Sequence, residues 1–246
     1  MRAPLSPDSG LTEQSNDLLK ALFEDHRARV STRVVRQELA KGDLLYDPGD
    51  SIEYCYFPCG AAMATYYVVM DDGLAVETAT VGREGALGGI VSHGRLPAFA
   101  RSTVLHGGTF LKIPLRDLAM LKDEVPSVAR LFDRYADCFV AQVFQSVACN
   151  ATHTIEQRVA RWLTAAIERT GSNQMTITQE QLGELLGVGR TYASRVLQRF
   201  KDRGVIEIRR GRLVIRDEDA LRATACSCNS VIAAHFAAVL GGVYPD

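Results

Sequence analysis

No run of roughly 18 or more apolar residues occurs anywhere in the 246-residue sequence, so no segment has the length and apolarity of a membrane-spanning helix. The opening residues, Met1-Arg2-Ala3-Pro4-Leu5-Ser6, lack the apolar centre of a secretory signal, and a cytoplasmic protein without membrane contact is expected. Low-complexity tracts are absent, and no internal repeat occurs at periods of about 20 to 50 residues, which excludes a solenoid. Also lacking are a nucleophile elbow, a phosphate-cradling loop and a zinc triad, so an enzyme is not expected. The six cysteines (Cys55, Cys59, Cys138, Cys149, Cys226, Cys228) are scattered over a chain too long to need disulfide staples, and reduced thiols are the default. Cys55-x3-Cys59 and Cys226-x-Cys228 each supply two thiols without a histidine at zinc-ligand spacing, so neither a metal nor another cofactor is expected.

Net charge is nearly absent too, at −1, but it is unevenly distributed. Residues 1–151 carry 15 basic and 19 acidic groups, residues 152–216 carry 12 and 6, and residues 217–246 carry 1 and 4. All basic groups of the middle segment except Lys201 are arginines, whose planar fork suits phosphate and guanine, so this stretch reads as a nucleic-acid footprint. With 47% hydrophobic and 23% charged residues, the chain is long enough for two folded domains.

Residues 1–16 are polar and rich in Pro and Ser, and read as a flexible N-terminus. Leu18, Leu19, Leu22 and Phe23 then mark an amphipathic helix over 17–29. From Val34 to Ile113 short apolar or alternating runs are punctuated by turns, including Asp47-Pro48-Gly49-Asp50, Asp71-Asp72-Gly73 and His106-Gly107-Gly108, which predicts an antiparallel β sandwich or roll. Past Pro126, Ala129, Phe132, Ala136, Phe139, Val143 and Val147 recur at alternating steps of three and four. With Val128, Leu131, Tyr135, Val140 and Phe144 added, the stripe is wider than one modest neighbour covers, which predicts a long dimerisation helix over 125–151. Thr154 and Gln157 form a capping-box pattern that opens a helix ending at Gly171.

Thr176 to Arg216 is the most informative stretch. Thr178 caps a helix containing Leu182, Leu185 and Leu186, Gly187 and Gly189 make a short turn, and a second helix runs from about Arg190 to Arg203. Val196, Leu197 and Phe200 form its apolar face, while Arg190, Thr191, Ser194, Arg195, Gln198 and Arg199 form its polar face, with Tyr192 assigned to neither. Two β-prone runs then flank the basic turn Arg209-Arg210-Gly211-Arg212, as in a winged helix-turn-helix. In this motif the start of the second helix enters the major groove and the wing reaches phosphate.

Ile177-Thr178-Gln179-Glu180-Gln181-Leu182-Gly183 and Leu186-Gly187-Val188-Gly189-Arg190-Thr191-Tyr192-Ala193-Ser194-Arg195-Val196-Leu197 resemble the Crp/Fnr family of bacterial regulators. Lys41-Gly42-Asp43-Leu44-Leu45, Pro48-Gly49-Asp50 and Tyr56-Phe57-Pro58 look like that family's opening strands and turns. The resemblance spans about residues 17–216. It implies an α+β chain: a cyclic-nucleotide-binding-like antiparallel β-roll of jelly-roll type over 17–124, the dimerisation helix over 125–151, a winged helix-turn-helix over 152–216, and an extension over 217–246. Ala225-Cys226-Ser227-Cys228 also looks like a C-terminal pattern of some members.

Carried over by position, Arg190 and Arg195 match base-contacting residues of the family, while Thr178, Gly189 and Tyr192 match positions near phosphates. Ser194, Arg199, Arg210 and Arg212 complete the expected DNA-binding set together with Thr191, where well-known members carry a glutamate that reads cytosine. Their operator sequence therefore does not transfer to this chain. Arg101-Ser102 matches one half of the family's cyclic-nucleotide cradle, but the other half departs from it. In Gly82-Arg83-Glu84-Gly85-Ala86-Leu87-Gly88-Gly89 the one carboxylate, Glu84, comes early and Ala86 falls at the ribose position. Oxygen-sensing members use N-terminal cysteines for an iron–sulfur cluster, and here none precedes Cys55.

The expected function is transcriptional regulation by a homodimer on an inverted-repeat operator in double-stranded DNA. A small-molecule effector of unknown identity would bind at a degenerate site (Glu84, Arg101, Ser102), with RNA polymerase a further candidate partner. The competing expectation is a cyclic-nucleotide or small-molecule binding module whose C-terminal domain docks to protein.

Overall fold

The computed structural model describes residues 16–71, 75–91, 96–209 and 212–242. Chain contacts divide it into two compact units: the described parts of Met1–Tyr66, Ala79–Ala141 and Ala234–Asp246, and those of Tyr67–Thr78 and Gln142–Ala233.

The first unit opens on helix α1 (Asp17–Ser31), which is broken at His26 (φ −138°) and runs slightly past its expected end. Asn16, the last residue of the segment expected to be flexible, is fully buried. Its side-chain oxygen accepts the Leu19 N–H and caps α1, while its amide donates to the carbonyls of Pro58 (3.0 Å) and Gly85 (2.6 Å). An asparagine at this point satisfies a helix end and two loops at once, which composition alone does not reveal; residues 1–15 lie outside the described ones.

Seven strands follow: β1 (Val35–Leu39), β2 (Leu44–Tyr46), β3 (Tyr54–Pro58), β4 (Met63–Val69), β5 (Ala75–Val81), β6 (Arg101–His106) and β7 (Gly108–Pro114). They form one sheet in the order β1-β7-β3 and another in the order β2-β6-β4-β5. β7 pairs antiparallel with β1 (Gln37 opposite Phe110) and with β3 (Phe57 opposite Leu111). The Asp71-Asp72-Gly73 turn expected between β4 and β5 lies largely outside the described residues. The core brings Phe57, Leu111 and Ile113 of the sheet against Leu18 and Leu22 of α1, Leu118 and Leu121 of α2 (Leu115–Glu124), and Phe132 and Tyr135 of helix α3 (Pro126–Thr152). Pro126 occupies the first helical position, where its missing N–H costs nothing.

The apolar stripe of α3 has two fates. Val128, Leu131, Phe132, Tyr135 and Cys138 are buried, whereas Val140, Phe144 and Val147 are 45%, 70% and 64% exposed. The width of the stripe therefore arises from two surfaces following one another along a single helix.

In the second unit, α4 (Ile155–Thr170) starts on the Thr154–Gln157 capping box and stops at Gly171 in the left-handed region. Strand β8 (Gln174–Thr176), too short for periodicity to reveal, joins β9 (Ile206–Arg209) and β10 (Arg212–Ile215) in an antiparallel sheet ordered β8-β10-β9. Helices α5 (Gln179–Leu186) and α6 (Arg190–Asp202) lie between β8 and β9 in sequence, and α7 (Glu218–Thr224) and α8 (Cys228–Leu240) close the chain. Among the described residues no single helix is long and apolar enough to cross a membrane.

Candidate nucleic-acid interface

The turn between α5 and α6 is fixed by local chemistry. Thr178 Oγ1 accepts the Gln181 N–H and Gln181 Oε1 accepts the Thr178 N–H, both at 3.1 Å, which satisfies two orphan donors at the start of α5. Gly187 ends α5 at φ +62°. Gly183 is needed for a different reason: a Cβ there would stand 2.7 Å from the Val188 carbonyl oxygen, so only a glycine lets the turn fold back so closely. Arg158 of α4, buried, donates to the Leu186 carbonyl at 2.6 Å and ties off the end of α5. Burial lowers the Arg158 pKa, and its hydrogen bond to the Leu186 carbonyl gives it a structural place in the basic segment.

Helix α6 buries Ala193, Val196, Leu197 and Phe200. Gly189 at its N-cap brings no side-chain cap, and the first turn carries no acid, so the first backbone N–H groups and the positive end of the helix dipole are left for an anion. Arg190, Thr191, Tyr192 and Arg195 are exposed, and Ser194 is half-buried with its hydroxyl donating to Gln179 Oε1 at 2.8 Å. Tyr192, which the sequence left unassigned, therefore belongs to the outward face. Gln179, Arg190, Thr191, Ser194, Arg195 and Gln198 line an open cleft of about 510 Å³.

The arginines of this unit separate into two groups. Arg199 and Arg203 both turn to Glu156 of α4, at 3.4 and 2.8 Å. Arg209 and Arg216 both bind Glu207, whose carboxyl is held below its ordinary range by the hydrogen bond from Arg209 and then by that from Arg216. By contrast, no described residue engages the side chain of Arg190, Arg195 or Arg212. Of the expected DNA-binding residues, Thr178 is occupied as a cap and Arg199 by Glu156, while Arg210 lies outside the described residues.

Of the expected effector residues, Arg101 and Glu84 have local partners. Arg101 holds Asp47 through two hydrogen bonds, 2.7 and 3.0 Å, and its guanidinium keeps the Asp47 carboxyl below the usual range. Ser102 is fully buried on β6 opposite Tyr46 of β2. Glu84 accepts the Gly82 N–H at 3.1 Å. A residue that the sequence placed in the dimerisation stripe organises this loop instead: the Tyr135 hydroxyl accepts the Ala86 N–H and donates to the Ala86 carbonyl, each at 3.0 Å. A Cβ on Gly85 would fall 2.1 Å from that hydroxyl oxygen. Tyr46 donates to Tyr66 at 2.8 Å, Gly88 N–H donates to Tyr66 at 3.3 Å, and Phe139 meets the Tyr66 ring edge-on. Aromatic side chains thus back this loop.

Residues 157–224 match the family model of the Crp-like helix-turn-helix domain. The C-terminal part of the chain thus carries a Crp-like helix-turn-helix domain. Solved structures carry the same fold over 77–78% of the chain, at identities that bear on fold alone. FixK2 from Bradyrhizobium japonicum is 16% identical with a TM-score of 0.66, the match covering 78% of this chain and 98% of that one. TTHB099, a transcriptional regulator of the CRP family from Thermus thermophilus, is 19% identical with a TM-score of 0.63, covering 77% and 96%. TTHA1359, a CRP/FNR-family transcriptional regulator from the same organism, is 16% identical with a TM-score of 0.62, covering 78% and 98%. No curated protein matches the chain by sequence. The Crp/Fnr-type fold, β-roll followed by long helix and winged helix-turn-helix, is the one the sequence motifs led us to expect.

Proposed function

We propose that this Crp/Fnr-type protein regulates transcription in the cytoplasm, without enzymatic activity, by binding an inverted-repeat operator in double-stranded DNA as a homodimer. The observation that carries the reading is the polar face of α6: Arg190 and Arg195 stand exposed and unengaged beside the cleft that also includes Thr191 and Gln198. An arginine free of intramolecular partners can place its fork on guanine O6 and N7, which is worth about 1–3 kcal/mol of discrimination for each good pair. Gly189 and Tyr192 at the start of the helix, and Arg212 on the wing, fit the phosphate-contacting part of the interface.

Dimerisation is supported by Val140, Phe144 and Val147, exposed at spacings of four and three along α3, a seam that a second copy of the same helix covers. Two recognition helices related by a two-fold axis read half-sites about 10 to 10.5 base pairs apart, centre to centre. RNA polymerase belongs to this reading as the further partner of a DNA-bound regulator. Any effector acts through the β-roll at a degenerate site, and alters DNA affinity only insofar as it binds two arrangements of the protein unequally.

Fluorescence anisotropy of labelled duplex DNA with the full chain, repeated over a range of salt, tests the proposal. Binding whose log K falls linearly with log salt, and which weakens in Arg195→Ala, is expected. Retention of no duplex at any salt, with capture of a protein partner through the C-terminal domain instead, would move the chain to the protein-docking class.

A further inference from the structure

Neither cysteine pair comes with a zinc-ligand histidine in the sequence, and spacing alone argues against a metal. The fold supplies what the spacing lacks. Cys149, in the last turn of α3, lies four residues before His153, which places both on one side of the helix end; Cys226 comes from the turn between α7 and α8, and Cys228 opens α8. One ligand atom from each of these four residues lies within 4.8 Å of every other. Cys149 and Cys228 are buried, while His153 and Cys226 are half-buried.

Two of these separations have the size a single ion dictates. With metal–sulfur bonds of about 2.3 Å and metal–nitrogen bonds of about 2.0–2.1 Å, a regular tetrahedron has sulfur–sulfur edges of about 3.8 Å and sulfur–nitrogen edges of about 3.5 Å. The Cys149 Sγ to Cys226 Sγ distance is 3.7 Å, and the Cys228 Sγ to His153 Nδ1 distance is 3.5 Å. An iron–sulfur cluster spreads its thiolates over separate irons and needs a wider ring of ligands than this.

The surroundings suit bound thiolates. Gln145 Nε2 donates to Cys228 Sγ at 3.1 Å, an outer contact of the kind that orients a ligand. Cys228 is the first residue of α8, where the helix dipole favours a thiolate. Arg158 and Arg161 of α4 lie within electrostatic reach of Cys149, and the buried Nε–H of each lacks an acceptor among the described residues. Three thiolates around a divalent ion leave one net negative charge, which such buried cations offset.

We propose that Cys149, His153, Cys226 and Cys228 form a tetrahedral Cys3His site for one thiophilic divalent metal ion, with zinc as the type, which clamps the end of α3 to the turn before α8. His153 directly precedes Thr154, the N-cap of α4, so the clamp holds the entry to the helix-turn-helix domain. Thiolates deprotonate on binding, and metal affinity becomes folding energy of this junction.

The test uses the full chain, kept reduced and freed of metal by a chelator. Zinc titrated against a chromophoric competitor should bind at one equivalent per chain and raise the melting temperature. Cobalt(II) should produce thiolate-to-metal charge transfer and the visible bands of a tetrahedral ion. Cys226→Ser and His153→Ala should each weaken zinc by more than tenfold. Gln145→Ala, which removes no ligand, should weaken it by about tenfold while the far-UV circular dichroism stays unchanged. Failure of the reduced wild-type chain to bind micromolar zinc, an octahedral cobalt spectrum, a Cys149–Cys226 disulfide in the reduced preparation, or iron with acid-labile sulfide in the isolated protein would each overturn the proposal. None of these readouts involves DNA, so the site and the operator reading stand or fall separately.

Discussion

Arg101 in the β-roll and Arg195 in the winged helix-turn-helix are both arginines on regular elements of a Crp/Fnr-type fold, in positions where the resemblance expects ligand contact, yet their surroundings differ. Arg101 is held by Asp47 through two hydrogen bonds, whereas no described residue engages Arg195. The same contrast recurs within the second unit, where Glu156 holds Arg199 and Arg203, and Glu207 holds Arg209 and Arg216, while no described residue engages Arg190 or Arg212. A basic segment is thus a mixture of arginines that hold the fold and arginines left over for a partner. Charge count does not distinguish them, but intramolecular pairing does.

The strongest way to break this comparison is to remove the unengaged pair. Arg190→Ala with Arg195→Ala should lose about 2–6 kcal/mol of binding to the cognate duplex, as the sum of two bidentate contacts of about 1–3 kcal/mol each, with melting unchanged. Competition assays against unrelated duplex read the loss, and equal losses on both sequences would mean the two residues meet only phosphate.

Gly183→Ala attacks the scaffold rather than the interface. The added Cβ must displace the Val188 carbonyl, and chemical denaturation should show a loss of about 1–3 kcal/mol together with weakened DNA binding. Unchanged stability would mean that the turn can open without cost. Thr178→Ala removes one half of the capping box and should cost about 1 kcal/mol, read in the same way.

The smallest effect is expected at Arg101→Ala. An exposed ion pair contributes little, so thermal melting should fall slightly and affinity for DNA should not change. A large loss of affinity there would erase the distinction between the two arginine classes. The sign of the acid response sharpens the same point: because Arg101 depresses the Asp47 pKa, the pair's small contribution is present above the ordinary carboxylate pKa and disappears as pH falls through the depressed value. The slight destabilisation by Arg101→Ala should therefore be measurable near neutral pH and vanish in acid.

What the sequence revealed follows from the range of the interactions involved. The helix-turn-helix was legible because its signals are local: Thr178 ahead of the first helix, Gly187 at its end, and an apolar face at 196, 197 and 200 on the second. The β-roll was legible as texture, through alternation and turn residues. The contacts that decide what each arginine or cysteine does are not local. Glu156 and Arg199 are 43 residues apart, Ala86 and Tyr135 are 49, and Cys149 and Cys226 are 77. No spacing rule connects such partners, so Tyr135 behind the β-roll loop and the four-ligand cluster came into view only once the chain was folded. β8 escaped for another reason, since three residues carry no period. The dual fate of α3 was hidden as well, because the buried and the exposed part of its stripe draw on the same apolar alphabet.

The central claim is that the unengaged arginines of α6 read an operator. Its most direct test is selection of duplex DNA from a random pool by the purified full chain, with Arg190→Ala run in parallel. The account predicts enrichment of an inverted repeat with half-site centres about 10 to 10.5 base pairs apart, absent or degraded at matching positions in the mutant pool. Recovery of the same motif at the same strength by Arg190→Ala and Arg195→Ala proteins, or retention of no duplex by the wild-type chain at low salt, would contradict it.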